Sequence, residues 1–137
     1  MSFVLDSSIT LARVYSEEIT DEVVQVFDLL TQSGAWVPTI WHLEVANVLQ
    51  RDVRRKRCSA DFRDATLADL ARLPIQVDPE TDRQAWGATL RLAARHGLTM
   101  YDAAYLELAL RRNLPLATLD EDLRRAARAE KVKVLGA

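Results

Sequence analysis

Short apolar runs alternate along this chain with longer stretches in which apolar residues recur every three or four positions. Phe3-Val4-Leu5 is a continuous apolar run and predicts a buried strand, with Asp6-Ser7-Ser8 directly after it. Residues 20–32 carry Val23, Val24, Phe27 and Leu30 at helical spacing. Thr20 is placed to cap that helix and Gly34 to end it. Trp36-Val37-Pro38 predicts a second strand, with the proline at its end, where a missing N–H is tolerable. Helices are then expected over residues 40–56 and 59–73, the latter capped by Ser59 or Asp61 and stopped before Pro74. Ile75-Gln76-Val77 predicts a third strand, and residues 80–96 a long helix closed by Gly97. A helix over 102–113, a short strand Leu116-Ala117, a helix over 121–130 and a strand at Lys133-Val134-Leu135 complete the order.

Strands separated by helical segments imply parallel pairing through crossover helices. The expected fold is a three-layer α/β domain, with a short parallel sheet of about five strands flanked by helices. The chain has 137 residues, enough for one domain with a real core, so residues 1–137 are read as one unit. A composition 49% hydrophobic and 28% charged is that of a globular protein. The single cysteine, Cys58, cannot form an internal disulfide, and no Cys/His cluster has zinc-binding spacing. A reducing cytoplasm is the expected compartment. The start of the chain does not read as a signal peptide, and no run approaches a membrane span. With a net charge of −2, nucleic acid would have to be held by local positive charge or through metal.

In an open parallel sheet, ligands bind beyond the carboxyl ends of the strands. The polar residues there are Asp6 after the first strand, and Thr118 and Asp120 after the fourth. No Gly-rich dinucleotide fingerprint or P-loop is present. Asp102 and Asp120 each read individually as a helix cap, and Asp122 as a solvated first-turn residue. Glu44 lies in a mainly apolar stretch, Leu43 to Leu49, with Asn47 on the same helix face. A carboxylate so placed needs a partner, a cation or water. Four gathered carboxylates repel one another, and hard divalent cations such as Mg²⁺ or Mn²⁺ relieve that repulsion.

Four segments together resemble the PIN-domain family, and within it the VapC toxins of prokaryotic toxin–antitoxin pairs. They are Phe3-Val4-Leu5-Asp6-Ser7-Ser8, Leu43-Glu44-Val45-Ala46-Asn47-Val48-Leu49, Leu98 to Ala109 around Tyr101-Asp102-Ala103-Ala104-Tyr105, and Leu116-Ala117-Thr118-Leu119-Asp120-Glu121-Asp122-Leu123. The resemblance implies a metal-dependent endoribonuclease acting on single-stranded RNA, with Asp6, Glu44, Asp102 and Asp120 around Mg²⁺ or Mn²⁺. It implies supporting roles for Ser7, Asn47, Thr118 and, at greater remove, Asp122. It also implies cleavage to 3′-hydroxyl and 5′-phosphate ends, a homodimer, and a VapB-like antitoxin whose peptide covers the active groove.

Arg51, Arg54 and Arg55, with Lys56 and Arg57, crowd the end of the 40–56 helix, where cations complement the helix dipole or could track an RNA backbone. Arg111, Arg112, Arg124, Arg125 and Arg128 add further local positive charge. Trp41, beside Leu43 and Val45, is the interface candidate. His42 and His96 are isolated and read as surface or partly buried side chains. A phosphatase of the haloacid dehalogenase type would need a second Asp where Ser8 stands, and a receiver-like domain would need a late Lys that Lys131 and Lys133 fit poorly. A catalytically silent RNA- or protein-binding module of the same fold is the remaining alternative.

Overall fold

The computed structural model describes residues 2–137. Five strands, β1 (Phe3–Leu5), β2 (Ala35–Val37), β3 (Ile75–Val77), β4 (Leu116–Ala117) and β5 (Val134–Leu135), form one sheet in the order β3-β2-β1-β4-β5. Every neighbouring pair is parallel, with Phe3 opposite Ala35 and Leu5 opposite Ala117. The sheet is short because its strands are two or three residues long. The expected α/β architecture, and each expected strand, is present.

Between β1 and β2 run α1 (Ser7–Val14), a 3₁₀ turn at Ser16–Glu18, and α2 (Asp21–Ser33). Between β2 and β3 run α3 (Trp41–Arg54) and α4 (Ala60–Leu70). A helical rod follows β3, made of α5 (Thr81–Gln84), a wider π turn at Ala85–Thr89, and α6 (Leu90–His96). It folds back through α7 (Met100–Arg112) to β4, and α8 (Glu121–Ala129) joins β4 to β5. The chain steps outward from β1 to β3 and then returns past β1 to β4 and β5. Right-handed crossovers therefore place the helices before β3 on one face and those after it on the other. The direction reverses between β1 and β4, so the topological switch point lies there.

The core sits between these layers. Phe3, Val4 and Leu5 are inaccessible to solvent, as are Leu116 and Ala117, and Ile9, Leu30, Leu49, Tyr105, Leu106 and Leu123 pack around them. Thr20 accepts a hydrogen bond from Val23 N at 3.2 Å, as its capping position predicts. Gly34 ends α2 with φ of 73°, where a Cβ would stand 3.0 Å from Pro74 O. The expected helix over 80–96 is a rod interrupted by the π turn, which leaves Trp86 92% exposed. α1 was not anticipated; it buries Ile9, Thr10 and Ala12.

Trp41, the interface candidate, is instead a core residue, only 3% exposed, and its indole N–H donates to Thr10 Oγ1 at 3.2 Å. A tryptophan in the first turn of α3 is drawn inward because α1 offers both apolar cover and a hydroxyl acceptor. Among the described residues, no helix is long and apolar enough to cross a membrane.

Candidate functional site

Asp6 leaves β1 and takes the N-cap position of α1, yet its side chain does not cap that helix. Its carboxylate Oδ2 instead accepts two hydroxyl hydrogen bonds, from Ser8 Oγ at 2.6 Å and from Thr118 Oγ1 at 2.8 Å. Each hydroxyl, having given its proton to Asp6, accepts from the backbone of the loop after β4: Leu119 N to Ser8 at 3.0 Å, and Asp120 N to Thr118 at 3.1 Å. The two sides of the switch point are thus laced through Asp6, which is 3% exposed. Burial pushes its pKa up, opposed by bonds from Ser8, Thr118 and the backbone N–H groups of Ser7 and Ser8.

Glu44 lies in the first turn of α3 and is half-buried. Tyr105, fully buried in the second turn of α7, donates its hydroxyl to Glu44 Oε1 at 2.5 Å. Desolvation raises the Glu44 pKa and the Asp6 charge adds to it, against the bonds from Tyr105 and Ser7. Ser7 therefore serves Glu44 and Tyr105, while the neighbouring Ser8 serves Asp6. Asn47 is exposed one turn along α3.

Asp102 also stands in a first turn, that of α7. The cap there is Thr99, whose side chain accepts from Asp102 N at 3.1 Å; Asp102 is therefore not the cap its position suggested, and its carboxylate is left for other contacts. Its pKa is pushed up to about 7, first by burial, then by the charges of Asp6, Asp120, Glu44 and Asp122 in that order. Asp120 is the N-cap of α8, with Oδ1 accepting from Leu123 N at 2.8 Å. Asp122 is exposed and pairs at 3.4 Å with Arg125. The four carboxylates singled out in the sequence thus come from four separate segments and lie within electrostatic reach of Asp102 or belong to it.

Among the described residues, no three His, Cys, Asp or Glu side chains close into a compact ligand cage. A purely carboxylate lining with mutual repulsion matches the chemistry of a hard divalent ion that keeps part of its water shell.

The basic residues fall elsewhere. Arg51 lies 3.5 Å from Asp52, seven residues beyond Glu44. Arg54 and Arg55 end α3, which puts them about 15 Å along the axis from Glu44 at the rise of an α-helix. Arg111 and Arg112, read in the sequence as local positive charge, are bound to Asp78. Arg124 is buried, so it adds nothing to the surface. His42 is exposed beside the Trp41 ring, and His96 Nε2 lies 2.6 Å from Glu130 Oε2.

Ser8 and Tyr105 are the site residues that sequence reasoning passed over. Tyr105 carried a signal: it lies three residues after Asp102, on the same helix flank. Replacing Tyr105 with Phe is expected to cost about 1–2 kcal/mol of stability or less, because the ring still fills its place while one charge-assisted bond is lost. A urea titration that showed Tyr105→Phe losing more than twice that would mean the hydroxyl has a larger structural part than one bond to Glu44.

A family model described as the PIN domain matches residues 3–129. No curated protein is a match to the chain. Solved structures are similar along nearly its whole length. PAE2754 from Pyrobaculum aerophilum superposes with a TM-score of 0.71 at 22% identity, covering 98% of this chain and 83% of that one. VapBC2 from Rickettsia felis, solved bound to a DNA fragment from its promoter, gives 0.67 at 16% identity, covering 98% and 97%. VapC20 of Mycobacterium tuberculosis, described as a Sarcin-Ricin loop cleaving toxin, gives 0.62 at 17% identity, covering 92% and 95%. At these identities the likeness establishes a shared fold.

Proposed function

The chain belongs to the PIN domain family, and from that premise we propose that it is a metal-dependent endoribonuclease toxin of the VapC kind. The observation that supports the reading is that the charges of Asp6, Asp120, Glu44 and Asp122 all bear on Asp102, which burial and these neighbours push up to about 7. Carboxylates so arranged are poorly tolerated without a cation, and sites with strongly shifted groups are where catalysis concentrates. An all-oxygen donor set suits Mg²⁺ or Mn²⁺ and offers no nitrogen or sulfur ligand for a softer metal. Asp6, Glu44, Asp102 and Asp120 would hold it. When bound, the ion supplies charge neutralisation and Lewis acidity toward a phosphodiester.

The protein's own residues do the rest. Ser8 and Thr118 hold Asp6 through one carboxylate oxygen. Tyr105 and Ser7 hold Glu44, and the α8 cap holds Asp120. These bonds fix the carboxylates before substrate arrives, so less reorganisation is needed during reaction. In this reading metal-activated water attacks the phosphodiester and displaces the 3′ oxygen in line, which would leave 3′-hydroxyl and 5′-phosphate ends. His96 is engaged with Glu130, and His42 lies edge-on to the Trp41 ring.

The solved VapC20 and VapBC2 support RNA as substrate and a VapB-like antitoxin as partner. A homodimer, a cytoplasmic setting and one nuclease domain over residues 1–137 belong to the same reading. Asn47 and Asp122 are outer supports in it. Arg51, Arg54 and Arg55 are at most a distant track for the RNA backbone, at the far end of α3 from Glu44.

The test uses the purified chain with total cellular RNA, in Mn²⁺, in Mg²⁺ and in EDTA, and maps new ends by sequencing. New 5′-phosphate ends that appear only with metal are expected. Ends bearing 2′,3′-cyclic phosphate, or cleavage that persists in EDTA, would exclude the mechanism. RNA binding without cleavage in either metal would favour the silent binding module.

A further inference from the structure

We propose that Arg124 is a positioning residue for the acidic site: it clamps the backbone of Thr118 from behind, and so sets where the Thr118 hydroxyl meets Asp6 and Asp120. The proposal rests on the reading of these carboxylates as a divalent-cation site.

Arg124 lies on α8 one turn after Asp120, whose carbonyl accepts its backbone N–H at 2.9 Å. It is 4% exposed among Leu123, Ala126 and Ala127, none of which reaches solvent. An apolar side chain would continue that buried face. A guanidinium there is costly to desolvate, and among the described residues no Asp or Glu side chain is paired with it. Its hydrogen bonds go to the O atoms of Thr118, Leu135 and Ala137, the last being the final residue of the sequence. Nη1 donates to Thr118 O at 2.7 Å and to Leu135 O at 3.1 Å, and Nη2 to Ala137 O at 3.2 Å. Leu135 O also accepts from Thr118 N at 3.2 Å, so the guanidinium and the Thr118 amide share one acceptor where β4 and β5 end.

Thr118 is the residue on which the site's lacing converges. Its hydroxyl donates to Asp6 and accepts from Asp120 N, so its single proton is committed and its oxygen position is set by the main chain at 118. The segment clamped with it also closes on the other half of the lacing. A Cβ at Gly136 would meet Ile9 Cδ1 at 2.4 Å, and Ile9 directly follows Ser8. The position has φ of 103°. Arg124 thus fastens residues 135–137 against the back of the loop whose front holds Asp6. Supports of this kind behind metal ligands commonly change affinity by about 10–100-fold when removed.

The experiment compares wild type with Arg124→Met, which keeps the volume, Arg124→Lys, Thr118→Val, and the double variant Arg124→Met with Thr118→Val. Two readouts are taken. Hydrogen exchange in the metal-free protein follows the Leu119 and Asp120 amides, and calorimetry with Mn²⁺ alone gives its Kd. Arg124→Met is expected to speed exchange at those two amides beyond the general loss of protection, and to weaken Mn²⁺ binding about 10-fold or more. Arg124→Lys should recover part of both. The double variant should bind Mn²⁺ no more weakly than Thr118→Val, since both act through one residue.

A merely structural role predicts otherwise. An Arg124→Met that melts lower but keeps the Mn²⁺ Kd and the two amides' relative protection would overturn the proposal. So would losses in the double variant that simply add. Asp78→Asn serves as the control, with lowered stability and unchanged Mn²⁺ Kd expected. If Arg124→Met does not fold, the same cycle is run with Arg124→Lys. If wild type binds no Mn²⁺, the metal reading falls, and the amide exchange alone decides whether Arg124 holds the loop.

Discussion

Asp102→Asn is expected to lower metal-dependent RNA cleavage by about 10³-fold while making the metal-free protein more stable. The loss follows from the proposed site, in which Asp102, Asp6, Glu44 and Asp120 hold the cation. The gain follows from the same geometry. Burial and four neighbouring carboxylates push the Asp102 pKa from an ordinary 3.8 up to about 7. The folded state thus holds this proton more tightly than the unfolded chain does. Its favourable contribution is complete below about pH 3.8 and is lost progressively as pH rises toward 7; above 7, the ionised carboxylate weighs against the fold.

At about 1.4 kcal/mol per pKa unit the full shift corresponds to roughly 4 kcal/mol, but Asp102 is only half-buried and solvent screens its neighbours. A net gain of about 1–2 kcal/mol for Asp102→Asn at pH 8 is the reasonable size. Thermal melts in EDTA at pH 8 should therefore place Asp102→Asn several degrees above wild type, with the gap narrowing below pH 7 and closing below pH 3.8. Added Mn²⁺ should raise the wild-type melting temperature far more than that of the variant. Identical melting in EDTA at pH 8 would mean that the carboxylates do not strain the fold.

Asp78→Asn carries the largest expected loss of stability. Asp78 follows β3, is inaccessible to solvent, and accepts from Arg111 Nη1 at 3.1 Å and Nη2 at 2.5 Å and from Arg112 Nε at 3.0 Å. Arg111 is bound in turn to the buried Glu107 at 2.7 Å, and the Arg112 guanidinium lies 3.5 Å over the Trp36 ring. Burial alone would raise the Asp78 pKa, but the two guanidinium groups prevail and hold it below the ordinary carboxylate range. This network ties α7 to the edge strand β3 and to its neighbour β2.

Removing the charge leaves two arginines facing a neutral amide that must turn one N–H toward them. A loss of about 3 kcal/mol is expected, the lower end for breaking a buried pair because both arginines keep some access to water. Urea unfolding at pH 7 measures it, and a loss under 1 kcal/mol would show that the arginines find other partners. A depressed folded-state pKa means that this stability is present above about pH 3.8 and is lost as pH falls through the lower, folded value. The difference between wild type and Asp78→Asn should therefore shrink in strong acid.

These two carboxylates show how far a linear reading reaches. Asp102 was legible as a candidate because it opens a helical pattern beside Tyr101 and Ala103 in a segment that resembles a known family. Asp78 was not singled out, since one Asp after a short apolar run has no partner visible nearby. Its partners are 33 and 34 residues away. α1 was missed for a related reason. Ile9, Thr10 and Val14 are β-branched and Ser7 and Ser8 are weak helix formers, so the helix is stabilised by burying Ile9, Thr10 and Ala12 rather than by propensity.

The sequence by itself determined the five strands, the helices other than α1, their order and the parallel sheet, because hydrophobic period and capping act over three or four residues. It also determined that carboxylates follow β1 and β4 and lie in the first turns of α3 and α7. Only the tertiary structure decided which side chains serve them. Tyr105 reaches Glu44 across 61 residues, and Thr118 reaches Asp6 across 112. It likewise turned Trp41 and Arg124 inward, and tied Arg111 and Arg112 to Asp78. Periodicity constrains which face of a helix is apolar, whereas hydroxyls, carboxylates and guanidinium groups find partners at hydrogen-bond range, wherever the fold brings them.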